Sequence, residues 1–181
     1  RYTKRRNSRV DVTILKDFIV AGCAIGGFVL GIVNFRKNLS DDAVKLKLKP
    51  LSFHSMGNGK DYGSTENGID SEKEFITIGV KVINLSKFDV TITETGLQLK
   101  EGNRRIYFPE AVVLGGDSGV PLKLPSRESI TISFKPNQLP DESIRSSIES
   151  IYVHTACELE FFGSGKVIED FSYNKAFKSD S

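Results

Sequence analysis

The 181-residue chain has two cysteines, two histidines, one methionine and no tryptophan. Each shortage removes a possibility. Cys23 lies in a long apolar run and Cys157 far along the polar remainder. That leaves no pair for an intrachain disulfide, so the folded part must be held by its own core. His54, His154 and Cys157 have no zinc-ligand spacing, and no metal site is expected. No glycine-rich phosphate loop leads from a strand into a helix, and no cofactor is expected either. A strong charge bias is also missing. The formal net charge of +2 divides into about +6 over residues 1–37 and −4 over the rest. A mildly acidic body argues against nucleic acid as a partner.

What the chain does have is Phe18–Val33, a stretch without a charged side chain, bounded by Lys16-Asp17 and by Asn34-Phe35-Arg36-Lys37. From Phe18 to Phe35 it would extend about 27 Å as a helix, close to the roughly 30 Å of a hydrocarbon core. A buried helix of a soluble domain keeps a polar stripe, and this run has none. A secretory signal would need a small-residue cleavage site, where a stop-transfer-like basic flank stands instead. The expectation is therefore one retained transmembrane helix, a single pass through the cell membrane. Nine Leu, Ile, Val and Phe residues favour insertion, and four glycines weaken it. Gly22 and Gly26 are spaced i,i+4, as are Gly27 and Gly31, the small-xxx-small spacing that lets membrane helices approach closely. Gly22 and Gly26 are the expected helix–helix contact, to another membrane helix or to a second copy in a homo-oligomer. Six Lys/Arg precede the run and five follow it up to Lys49, so the positive-inside rule does not choose a side for the soluble part. The chain starts at Arg1 without a methionine, which leaves room for further residues ahead of it.

The remainder divides into a basic tail, helix and linker (1–40), a body (41–175) and a polar tail (176–181). Ala43–Lys49 alternates, with Val44, Leu46 and Leu48 on one face, up to Pro50. Residues 57–73 are Gly- and polar-rich and read as a solvated loop; its acids lack the spacing of an EF-hand. Ile76, Ile78, Val80 and Val82 form the clearest strand face, and the strand–turn–strand at 76–99 reads as a central hairpin. A change of inward phase between Val90/Ile92 and Leu97/Leu99 requires an extra residue, expected near Thr95-Gly96. Leu139–Ile148 reads as a short helix begun by Pro140 and two acids. Ile151–Thr155, Glu158–Phe162 and Lys166–Phe171 read as the last strands, with Glu158, Glu160, Glu169 and Asp170 on their wet face. His154 is expected at the solvent and Cys157 partly buried. Seven or eight short strands imply a mainly β protein, an antiparallel Ig-like β-sandwich preceded by a single transmembrane α-helix. The buried Trp and paired Cys of antibody domains are absent.

Val82-Ile-Asn-Leu-Ser-Lys-Phe-Asp-Val-Thr-Ile-Thr-Glu-Thr-Gly96, Leu124-Pro-Ser-Arg-Glu-Ser-Ile-Thr-Ile-Ser-Phe134 and Ile151-Tyr-Val-His-Thr155 carry a resemblance. They are similar to the V-x-N hairpin, the L-P-x-G-E-S-x-T strand and the I-x-x-V-Y-V strand of small bacterial and prophage membrane-anchored Ig-like proteins. Arg127 stands where that family has Gly. The resemblance implies an anchored sandwich and no particular activity.

One motif points to catalysis. Gly116-Asp-Ser-Gly-Val-Pro121 resembles the Ser loop of chymotrypsin-like proteases, and His54 precedes it. Val120 replaces a glycine, the surroundings of His54 differ from that family, and a two-barrel protease needs a longer chain. A Gly/Asp/Ser turn explains the letters as well. The sequence thus favours a membrane-anchored, non-enzymatic module that offers a protein-binding surface. The alternatives are a serine hydrolase using Ser118 and a regulator acting through its helix on another membrane protein.

Overall fold

A computed structural model describes residues 7–41, 43–57, 61–101, 104–115 and 119–173. The chain divides into two units, Arg1–Ala43 and Val44–Ser181. The first contains helix α1, Asn7–Asp41. Its backbone takes in residues read from sequence as tail and as linker, because Val10–Leu15 and Lys37–Leu39 contain no Gly or Pro to stop a helix.

The second unit is built of two antiparallel sheets. One has the order β2-β1-β3-β8-β6, from Tyr62–Thr65, Leu46–Ser55, Phe75–Asn84, Ser129–Ser133 and Val112–Val113. The other has the order β10-β9-β4-β5, from Glu160–Gly163, Ile148–Thr155, Val90–Leu99 and Arg105–Tyr107, with β7 (Leu122–Leu124) also paired to β4. Two antiparallel sheets with this composition make a sandwich-like arrangement. Ile78, Val80, Val82 and Ile132 from one sheet meet Ile92, Leu97, Ile151 and Val153 from the other in a single core. The alternation seen along 76–82 is the reason: every second residue enters the space between the sheets.

Four readings of the sequence are corrected. The 76–99 segment is not a hairpin: β3 pairs with β1 and β8, whereas β4 pairs with β9, β5 and β7. Residues 85–89 form an arch between sheets, held by Asn84, which is fully buried. Its Nδ2 donates to the carbonyls of Phe88 (2.8 Å), Leu124 (3.1 Å) and Pro125 (3.1 Å), and its Oδ1 accepts from Ser86 N–H at 2.9 Å. Second, the phase slip lies at Thr93 and not at Thr95-Gly96. Ile92 and Glu94 face the consecutive residues Thr155 and His154, so Thr93 is the extra residue. Gly96 instead permits close approach, since a Cβ there would strike the Ile106 carbonyl and the Tyr152 ring.

Third, Lys166–Phe171 is not a strand but belongs to helix α3, Lys166–Ser172. Val167, Ile168 and Phe171 are buried together while Glu169 is exposed, which fits a helical stripe and not alternation. Fourth, the 57–73 segment is not all loop: Tyr62–Thr65 adds strand β2 to the end of β1. The expected helix at 139–148 is reduced to α2, Glu142–Arg145, preceded by a 3-10 turn at Pro136–Gln138. Strand β1 passes through Pro50, which lies opposite Val80 of β3 and outside the Ser52–Ser55 stretch that β2 pairs.

Candidate functional site

The most exposed apolar surface in the protein belongs to α1. Ile14–Lys37 is 24 residues long with a mean hydropathy of 2.2 in its most apolar window, and none of that window is buried. As a helix it extends about 36 Å, enough to cross a membrane by length and composition. Gly22 and Gly26, the expected contact positions, have open space around them, and a Cβ at either would touch nothing within 4 Å.

The acids and histidines read from the last strands are separated by the fold. Asp170 is not on a wet face: it lies on α3 and is 4% exposed. Its Oδ2 accepts the Ile69 N–H at 3.1 Å and its Oδ1 faces Lys166 Nζ at 2.9 Å. Gly68 makes this possible, because a Cβ there would collide with the Asp170 carboxylate. Glu160 is drawn to Arg105 in a two-pronged ion pair of 2.7 Å per contact, and this holds its carboxyl below the usual range. Arg105 also donates to Gln98 at 3.0 Å and lies over the Tyr152 ring, 5.0 Å from its centre. Tyr152 hydroxyl bonds Glu94, and burial followed by that carboxylate pushes its pKa up. These residues knit β4, β5, β9 and β10 across the outer face of their sheet. His154 is half-buried, with Nδ1 3.3 Å from Thr93 Oγ1. Cys157 is exposed and not partly buried, because it sits in the tight turn after Thr155.

His54 is buried, at 3% exposure. Ser52 Oγ donates to the Gly68 carbonyl at 2.6 Å and lies 3.0 Å from His54 Nε2. The Asp70 N–H approaches the same Nε2 at 3.5 Å. Among the described residues no partner meets Nδ1 in hydrogen-bond geometry. Burial lowers the His54 pKa; the Asp70 charge opposes this, the Lys73 charge adds to it, and the Lys73 backbone opposes it. A serine, a histidine and an aspartate thus come together at 52, 54 and 70. Ser52 is fully buried, so the group braces the segment over β1 and is closed to a substrate. Ser118 lies outside the described residues, as do Gly116 and Asp117.

Among the described residues no group of three His, Cys, Asp or Glu is placed to hold a metal. A shallow cleft of about 250 Å³ lies beside β1, where Lys47, Lys49 and Lys166 meet Glu66. Lys49 is paired with Glu66 at 2.7 Å, which takes up much of its charge. Sequence reasoning missed the Asn84 arch and the Asp170 tie. The spacing Asn84-Leu-Ser86, with a side-chain oxygen two residues before an N–H, is a turn signal that could have located the first.

The chain matches no family model, no curated protein and no solved structure. The class it can be given is therefore structural: a two-sheet antiparallel β domain with an N-terminal apolar helix long enough to cross a membrane.

Proposed function

We propose that this is a single-pass cell-membrane protein whose β-sandwich presents a protein-binding surface at the bilayer without catalysing a reaction. Its likeness in sequence motifs to bacterial and prophage membrane-anchored proteins belongs to the same proposal. The observation that supports it best is a bare 24-residue apolar helix joined to a unit with its own closed core. An apolar surface of that size has no stable place in water, and lipid is the solvent that suits it. Outer sheet faces, loops and strand edges are where such modules meet partners. The experiment is photocrosslinking of the full chain in intact membranes followed by mass spectrometry. A discrete second protein, or a second copy of the chain, is the expected product. Hydrolysis of a peptide ester that disappears in Ser118→Ala would replace this reading with the hydrolase one.

The open helix surface at Gly22 and Gly26 favours a second reading, in which α1 pairs with another membrane helix. Gly22→Leu with Gly26→Leu would then remove crosslinks within the membrane and leave crosslinks to the sandwich unchanged.

A further inference from the structure

We propose that the end of the sandwich where β1 begins is a lipid-contacting surface that sits in the headgroup layer. The proposal rests on the membrane-anchor reading above.

Four residues separate α1 from β1, so the start of β1 stays within about 17 Å of the end of the helix along the chain. The structure joins three turns to that start. Lys45 N–H donates to Ser86 Oγ at 2.8 Å, and Lys45 carbonyl accepts from Leu85 N–H at 2.8 Å. Ser126 Oγ donates to the Ser86 carbonyl at 2.9 Å, and its N–H bonds Asp89 at 3.1 Å. The 156–159 turn is at the same end, since Ile92 pairs with Thr155 and Ala156 N–H bonds the Thr91 carbonyl.

These hydrogen bonds make the arch a firm platform, yet its tips are apolar. Leu85 is 42% exposed, Phe88 38% and Leu159 44%. Within the arch Asn84 and Ser86 are turned to internal bonds, whereas Lys87 and Asp89 stay at the surface beside Leu85 and Phe88. Apolar and charged tips thus share one face. Charge gives little help: Lys45, Lys87, Lys123 and Arg127 stand against Asp89, Glu128 and Glu158, and Lys123 is paired with Asp89 at 2.9 Å. Near-balanced charge with apolar tips fits the zwitterionic headgroup layer, where aromatic and long basic side chains are favoured together, and predicts weak dependence on anionic lipid.

The test uses the full chain with Cys23→Ala, which leaves Cys157, exposed in the 156–159 turn, as the one thiol. Cys157 carries a bimane label. The control moves the thiol to Glu101→Cys in a Cys157→Ser background, just past the far end of β4, a strand that runs about 30 Å from Val90 to Leu99. Both are reconstituted in phosphatidylcholine vesicles containing headgroup-nitroxide lipid, with and without phosphatidylglycerol. The expected result is severalfold stronger nitroxide quenching at 157 than at 101, little changed by phosphatidylglycerol. Leu85→Ser with Phe88→Ser, both exposed, should bring the quenching at 157 down to the control while flotation with the vesicles is unchanged. Equal quenching at the two positions in protein that floats would overturn the inference and leave the anchor intact. So would shielding of 157 from lipid nitroxide and aqueous iodide alike, the sign of a protein cover. Failure of the protein to float would remove anchor and inference together.

Discussion

Two side chains show how much of this fold depends on single polar residues placed inside it. Asn84 satisfies three carbonyls and one N–H where the chain leaves one sheet for the other. Asn84→Ala would strand buried groups that water cannot reach, and the cost of such groups is about 1–3 kcal/mol each. We expect a loss of at least about 2 kcal/mol in the denaturant-unfolding free energy of the detergent-solubilised chain; a loss under half that would mean the arch is held by packing alone. His54 acts differently, through pH. Its folded pKa is lowered from 6.5, chiefly by burial. The stability it contributes is complete above 6.5 and is lost as pH falls from there through the lowered folded value, because the unfolded chain takes up a proton that the native ring refuses. Asp70 also has a lowered pKa, first through the Glu72 N–H and then Lys73, but its free value is 3.8. Its window is separate and lies lower. Denaturation midpoints between about pH 7.5 and 5 should therefore fall with acid in the native chain and flatten in His54→Gln. The same slope in both proteins would put the proton elsewhere.

At the level of elements, strands announced themselves where one face was buried and stayed hidden where contacts were long-range. The alternation of Ile76 to Val82 is a direct imprint of a sheet with one face inward, and the body read from it as a sandwich is the one found. Which sheet β4 joins was not legible, since a tight turn of Asn, Ser and Asp serves a hairpin and an arch equally well. What decides is the three-carbonyl bond set of Asn84, two of whose partners are 40 and 41 residues away. Helix α3 was misread for a related reason. Six residues are too few to display a period clearly, although Val167, Ile168 and Phe171 already have the i, i+1, i+4 spacing of one helical face, and the burial of Asp170 comes from a contact with distant Ile69. Asp170 makes α3 a brace, with its carboxylate fastening the backbone of Ile69. Asp170→Ala should free that N–H and loosen the segment that carries β2. Hydrogen exchange should accelerate at Ile69 and its neighbours by at least about tenfold, the equivalent of 1.4 kcal/mol, while amides of β3 and β9 keep their protection. Uniform acceleration across the domain would mean that α3 supports the whole core and not this segment.

For the molecule as a whole, the decisive quantity is the insertion energy of α1. Within its Phe18–Val33 stretch, nine Leu, Ile, Val and Phe residues at about −0.3 to −0.6 kcal/mol each supply roughly −3 to −5 kcal/mol, before the cost of four glycines is counted. An arginine at mid-membrane costs about 2.5–3.5 kcal/mol, so two of them outweigh the entire gain. Ile25 and Val29 lie near the middle of the apolar span and are exposed, at 66% and 51%. Changing them to arginine disturbs no packing within the described residues of either unit. In the native chain we expect sedimentation with carbonate-washed membranes and release only by detergent. In Ile25→Arg with Val29→Arg the chain should move to the supernatant after ultracentrifugation, and its β-sheet circular dichroism should be retained, because the second unit has its own core. A double variant that still pellets with washed membranes would show that something other than the helix holds the protein there. Native protein recovered in the detergent-free supernatant would leave no physical role for a 24-residue apolar surface facing water.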